Sequence, residues 1–181
     1  MKIYSGELQG VLLIESDSYA DNRGTFTDVY NSDRFSRVGA MSGFHVAQVN
    51  FVYNNSKGVL RGVHAEPWEK FVGVVKGEAF CAFVDLREGG DFGRVCTVKI
   101  EPGLSVFIPR GVGNSYQTLA KGTIYHYAVN GIWEAVKRYL GVNAFDPILE
   151  IPWPIDKNRS VMSEKDRNLP SVTAIQPFRF D

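Results

Sequence analysis

Along the middle of the chain, apolar and polar positions alternate in short runs, each closed by a turn. Residues 71–75, 78–86, 95–100 and 105–108 are dominated by β-branched and aromatic side chains, which suit a pleated, largely buried surface. Between these runs stand Lys76-Gly77-Glu78, Glu88-Gly89-Gly90-Asp91 and Glu101-Pro102-Gly103, where Gly and Pro provide the backbone angles that tight turns require. The rhythm predicts an all-β sandwich or barrel. Helical period is scarce. Residues 33–38, a piece near 134–140 and a turn over 163–167 are the helical candidates. The last opens with Ser163 three residues before Asp166, a spacing that caps a helix start. No repeat or low-complexity tract interrupts the pattern. The Pro-rich stretch from about 151 is less regular, so the expectation is one domain over 1–181 with an irregular C-terminal arm lying across the barrel.

Size and charge narrow the partners. A chain of 181 residues can bury a core without disulfides or metals. With 20 basic and 20 acidic residues there is no broad positive surface for a nucleic-acid backbone. No apolar run approaches the roughly 18 residues of a membrane-spanning helix, and the start of the chain lacks a basic-then-apolar leader, so the expectation is no membrane and a cytoplasmic location. Cys81 and Cys96 each lie in an alternating apolar run, which reads as two small core residues in a reducing compartment, with pairing left open. His45, His64 and His126 stand singly, whereas a metal held by a β-barrel needs several ligands converging from neighbouring strands. No metal is expected. Phosphate loops, nucleophile elbows and Cys/His pairs at a usable spacing are missing too.

The segment Leu60-Arg61-Gly62-Val63-His64 carries the most specific chemistry. On a regular strand His64 and Gly62 would share one face and Arg61 and Val63 the other. A bulge at the glycine would re-aim them, so that a base and a cation could reach one cavity. Without it, His64 reads as a hydrogen-bonded wall residue.

Beyond this segment the chain resembles the dTDP-4-dehydrorhamnose 3,5-epimerase family over nearly its whole length. The collinear elements are Asp21-Asn22-Arg23-Gly24-Thr25-Phe26, Gln48-Val49-Asn50, Gly58-Val59-Leu60-Arg61-Gly62-Val63-His64, Lys70-Phe71-Val72 and Gly77-Glu78-Ala79-Phe80. They continue with Val84-Asp85-Leu86-Arg87, Phe92-Gly93, Ile108-Pro109-Arg110-Gly111, Asp146-Pro147, Ile151-Pro152-Trp153-Pro154 and Ser163-Glu164-Lys165-Asp166. The resemblance implies a cupin-like jelly roll (double-stranded β-helix) with short flanking helices and core strands over about 46–127. It also implies a homodimer and a cofactor-free isomerase acting on a nucleotide-linked 4-keto-6-deoxyhexose. Such an enzyme removes a proton beside the ketone, holds the enolate and returns a proton to the opposite face. By the same resemblance His64 is the base, Asp166 its orienting partner, Tyr127 the acid with Tyr125 as the alternative, and Lys70 the cation at the developing oxyanion. Arg23, Asp28, Gln48, Asn50, Arg61 and Asn114 match substrate-binding positions, and Asp28 stands where the family has glutamate.

Several positions depart from the family pattern. Ala65-Glu66 follows His64 in place of an aromatic residue and glutamine, the link to Lys70 is short, and Asn114 replaces a common histidine. These changes spare the proton-transfer groups and alter the pocket wall, which leaves open a related mono-epimerase or ketoisomerase on another nucleotide sugar. A non-catalytic carbohydrate-binding module is the remaining alternative, although it would have no use for a base, an acid and an oxyanion cation together.

Overall fold

A computed structural model describes residues 1–134 and 139–179. Two antiparallel sheets make up its centre. The six-stranded sheet runs, in spatial order, β1 (Lys2–Ser5), β2 (Leu12–Glu15), β10 (Leu104–Ile108), β7 (Lys70–Lys76), β12 (Thr123–Val129) and β5 (Gln48–Asn54). The five-stranded sheet runs β13 (Leu140–Gly141), β6 (Leu60–Ala65), β11 (Val112–Thr118), β8 (Ala79–Asp85) and β9 (Val95–Ile100). A separate hairpin joins β3 (Ser18–Asp21) to β4 (Gly24–Thr27). The crossing order and the paired sheets are those of a cupin-like jelly roll.

The side-chain period of two explains how the layers stack. Val72, Val74, Val106, Ile108 and Tyr125 from one sheet meet Ala79, Cys81, Phe83, Cys96, Ile100 and Tyr116 from the other in a single buried cluster. Intervening residues pack on the outer faces. Phe71, Phe107 and Ala128 bury against Phe35, Met41 and Phe44 of a short N-terminal helical segment. Leu60, Val63, Val84 and Leu86 are covered by Val142, Ala144 and Leu149 of the segment after β13 and by Val172 of the C-terminal arm. Strands buried on both faces read as continuous apolar runs, which is why 78–86 shows so few polar positions.

The helical candidates fared differently. Helix α1 spans Ser32–Ser36, starting one residue earlier than the pattern suggested, because Asn31 caps it by accepting the Arg34 N–H, and ending two residues earlier. Helix α2 spans Glu164–Arg167, and its Ser163 cap accepts the Asp166 N–H as the spacing predicted. The helix expected near 134–140 falls largely on 135–138, outside the described residues, and Leu140 at its end belongs instead to strand β13. Both cysteines are buried thiols with no bridge. No described helix is long and apolar enough to cross a membrane.

Candidate active site

The mouth of the roll, between the two sheets, is a cavity of about 290 Å³. Its walls come from inward-facing positions that turn polar toward one end of the sandwich. Lys70 precedes Val72 and Val74 on the inner face of β7, and Asn114 and Tyr116 share the inner face of β11. Tyr125 and Tyr127 share that of β12, and Val52 lies opposite them on β5.

Strand β6 departs from this regularity. On β11, Asn114 pairs with His64 and Tyr116 with Arg61, so three steps on β6 face two on β11. The extra residue is a bulge, and it rotates Arg61 and His64 into the same cavity. Gly62 makes it possible. Its φ is +105°, and a Cβ there would stand 2.6 Å from the Asn114 carbonyl oxygen.

His64 Nε2 lies 2.7 Å from Asp166 Oδ1, and the Gly62 N–H donates to Asp166 Oδ2 at 3.3 Å. Burial would raise the Asp166 carboxyl, but the hydrogen bonds from His64 and the Gly62 backbone outweigh it and hold the group below its ordinary value. The ionised carboxylate accepts from Nε2–H, which leaves Nδ1 as the basic nitrogen. Helix α2 delivers Asp166 to this position, so the cap at Ser163 is a structural part of the dyad.

Lys70 is almost fully buried. It donates to Asn114 Oδ1 at 2.6 Å and is paired with Glu66. Burial pulls its ammonium below the ordinary lysine value, and the charge of Glu66 opposes that. Glu66 and Trp68 sit on the β6–β7 loop, which reciprocal 2.8 Å hydrogen bonds between Glu69 and Asn130 clamp to the end of β12. Tyr127 is half-buried. Burial raises its hydroxyl, Glu66 raises it further and Arg61 opposes. Tyr125 is fully buried and stacks on Tyr116 at 4.0 Å. Tyr127 is therefore the less confined of the two phenols.

Other expected residues lie elsewhere. Gln48 and Asn50 continue the inner face of β5 beyond Val52; Gln48 donates to Asn50 Oδ1 at 2.8 Å and accepts the Trp133 N–H. Arg23 is not in the cavity: it is on the exposed tip of the β3–β4 hairpin, paired with Asp21 at 2.6 Å. Asp28 pairs with Arg34 at 3.2 Å, also outside the cavity lining. His126 points to the opposite face of β12, against Phe71 and Phe51. Among the described residues no group of three or more His, Cys, Asp or Glu is placed to hold a metal.

A sequence profile described as dTDP-4-dehydrorhamnose 3,5-epimerase matches residues 5–174. The chain belongs to the dTDP-4-dehydrorhamnose 3,5-epimerase family. It is 35% identical over 178 residues to a Streptococcus pyogenes protein named Protein RmlC homolog, covering 96% of this chain and 90% of that protein. Its identity to the dTDP-4-dehydrorhamnose 3,5-epimerase of Methanothermobacter thermautotrophicus is 33% over 172 residues, 89% of each. Among solved structures, RmlC from Streptococcus suis in complex with dTDP-D-xylose superposes with a TM-score of 0.90 at 32% identity, covering 99% of this chain and 96% of that one. Members of this epimerase family are isomerases.

Within this epimerase, several cavity residues carried no sequence signal of a site role. Glu66 stood out only as a departure from the family pattern, and Trp68, Trp133 and Tyr139 lie in irregular segments. Their convergence depends on the β6–β7 loop folding back toward β13, a long-range arrangement that no local spacing encodes.

Proposed function

We propose that this epimerase inverts C3 and C5 of dTDP-4-dehydro-6-deoxyglucose on the route to a rhamnose-type deoxysugar. The observation that carries the reading is the placement of base and acid on opposing sheets. His64 projects from the five-stranded sheet and Tyr127 from the six-stranded one into the same cavity, whose lining also includes Lys70. The ketone weakens the neighbouring C–H bond. His64 Nδ1 takes that proton, the C–H electrons form the enolate double bond, and the carbonyl π electrons move onto oxygen, where the Lys70 ammonium balances the charge. Tyr127 then gives its proton to the carbon from the other face, the ketone re-forms, and solvent restores both groups.

Binding is assigned on charge and reach. Arg61 and Asn114 line the cavity and hold the sugar end, while Gln48 and Asn50 offer amides beside it; the buried Asn50 Nδ2 has no hydrogen-bond partner among the described residues. Arg23 and Asp28 serve the nucleotide end from outside their own cavity, which requires a second copy. Val49, Phe51 and Tyr53 form an exposed apolar row on the outer face of edge strand β5, and Tyr19 and Phe26 are exposed on the hairpin. A homodimer covers these rows and carries the Arg23 guanidinium to the partner's diphosphate, where its planar fork suits phosphate oxygens. The unbridged cysteines fit a cytoplasmic location.

Proton NMR in heavy water tests the chemistry. The substrate should lose its C3 and C5 proton signals, and a downstream ketoreductase should trap inverted product. His64→Ala should slow this exchange by roughly 100- to 10,000-fold, the contribution of a positioned base. Exchange at the wild-type rate without His64 would remove the assignment, and a monomer by sedimentation would remove the dimer.

A further inference from the structure

Glu66 hides a carboxylate in a cavity built to receive an anionic substrate. Its side chain is 12% exposed and that of its partner Lys70 is 7% exposed. Burying a like charge where a diphosphate sugar must enter is costly unless the carboxylate balances something. The other partner of Lys70, Asn114, is a neutral amide. Among the described residues the other cations lining the cavity are Arg61 and Lys165, and the nearby carboxylate of Asp166 lies behind His64. Tyr116, Tyr125, Tyr127 and Tyr139 supply only phenols. Glu66 is thus the one described anion in direct contact with the Lys70 ammonium.

We propose that Glu66 is a positioning residue for epimerisation: its carboxylate anchors the Lys70 ammonium at the oxygen of the reacting carbonyl and sets a negative charge beside Tyr127. The proposal rests on the roles given above to Lys70 and Tyr127. Both groups work in their protonated forms, one as a cation and one as a proton donor. A neighbouring negative charge favours both forms. Burial pulls Lys70 down and Glu66 counters it, while Glu66 adds to the burial that already holds Tyr127 up. Removing the charge therefore acts on both groups in one direction, toward loss of the proton.

The test compares pH–rate profiles of the full chain and its variants on dTDP-4-keto-6-deoxyglucose. Glu66→Gln keeps the shape and removes the charge; its alkaline limb should move down by about one pH unit or more. Above the wild-type limb kcat is about tenfold lower for each pH unit that the limb has moved, with KM little changed. Glu66→Asp keeps the charge one methylene further back and should show a smaller displacement in the same direction. A Glu66→Gln enzyme with the wild-type profile, or one slowed by the same factor at every pH, overturns the proposal. Lys70→Met separates the two levels: if it is slow while Glu66→Gln matches wild type, only the role of Glu66 fails, and if it turns over normally the role of Lys70 fails with it.

Discussion

Replacing Asp166 by asparagine probes the dyad with little change of shape. The Asp166 side chain is 6% exposed, spends one oxygen on His64 Nε2 at 2.7 Å and the other on the Gly62 N–H. When His64 takes a proton, an imidazolium forms beside that carboxylate. Two unit charges about 4 Å apart interact by about 4 kcal/mol at an effective dielectric of about 20. The His64 side chain is 34% exposed, and solvent screening brings this to about 2 kcal/mol, or roughly 30-fold in rate. A second loss comes from the tautomer. The asparagine oxygen must accept from the Gly62 N–H, which turns its NH2 group toward Nε2 and moves the ring proton to Nδ1, the nitrogen that should be the base. Together these give an expected loss of about 100- to 1,000-fold, less than that of removing His64. The rate of deuterium entry into the substrate, measured by proton NMR beside a thermal melt to show an intact fold, checks this. A folded Asp166→Asn enzyme within about threefold of wild type would refute both the charge and the tautomer argument.

Two further outcomes follow from the framework around the site. Gly62→Ala places a Cβ 2.6 Å from the Asn114 carbonyl at a φ of +105°, so a loss of about 2–3 kcal/mol in urea unfolding and of most activity is expected; a wild-type midpoint would show that the bulge tolerates a side chain. Asp146 accepts from the Ser171 hydroxyl and the Val172 N–H at 2.7 Å each and from the Ile148 N–H at 3.0 Å, tying the C-terminal arm to the segment that follows β13. Burial raises its carboxyl, yet these bonds outweigh it and hold it below its ordinary value. Its stabilising contribution is thus full above the unfolded value and lost as pH falls through the folded one. Asp146→Asn should cost about 1.5–3 kcal/mol at neutral pH and flatten the acid side of a stability–pH curve, whereas an unchanged acid slope would exclude this anchor.

The alternation over 95–100 matches β9 residue for residue because every position on that strand meets a regular neighbour. Strands β1 and β2 are only four residues each, too short to show a period, and their place beside β10 is decided by distant partners. The bulge was legible as a condition on Gly62, since only a glycine allows it, but its occurrence depends on the register with β11. Lys70 illustrates the limit. As a residue after Pro67-Trp68-Glu69 it resembles a solvated loop lysine, and only the return of the chain into β7 buries it against Glu66 and Asn114. Arg23 matches the family in sequence and Asp28 stands where the family has glutamate, yet both lie away from the cavity of their own chain, a placement that depends on the tertiary fold and not on local spacing.

Proton transfer from two opposing faces is tested most directly by Tyr127→Phe in heavy water, with deuterium entry and inverted product followed in the same sample. In the proposed reaction His64 removes the proton without the phenol, so deuterium should still wash into the substrate while inversion becomes slow. Exchange and epimerisation separate. Near-normal inversion by Tyr127→Phe, with the separation appearing in Tyr125→Phe, would transfer the acid role to the buried neighbour. Undiminished inversion in both variants would contradict a tyrosine donor on the six-stranded sheet altogether.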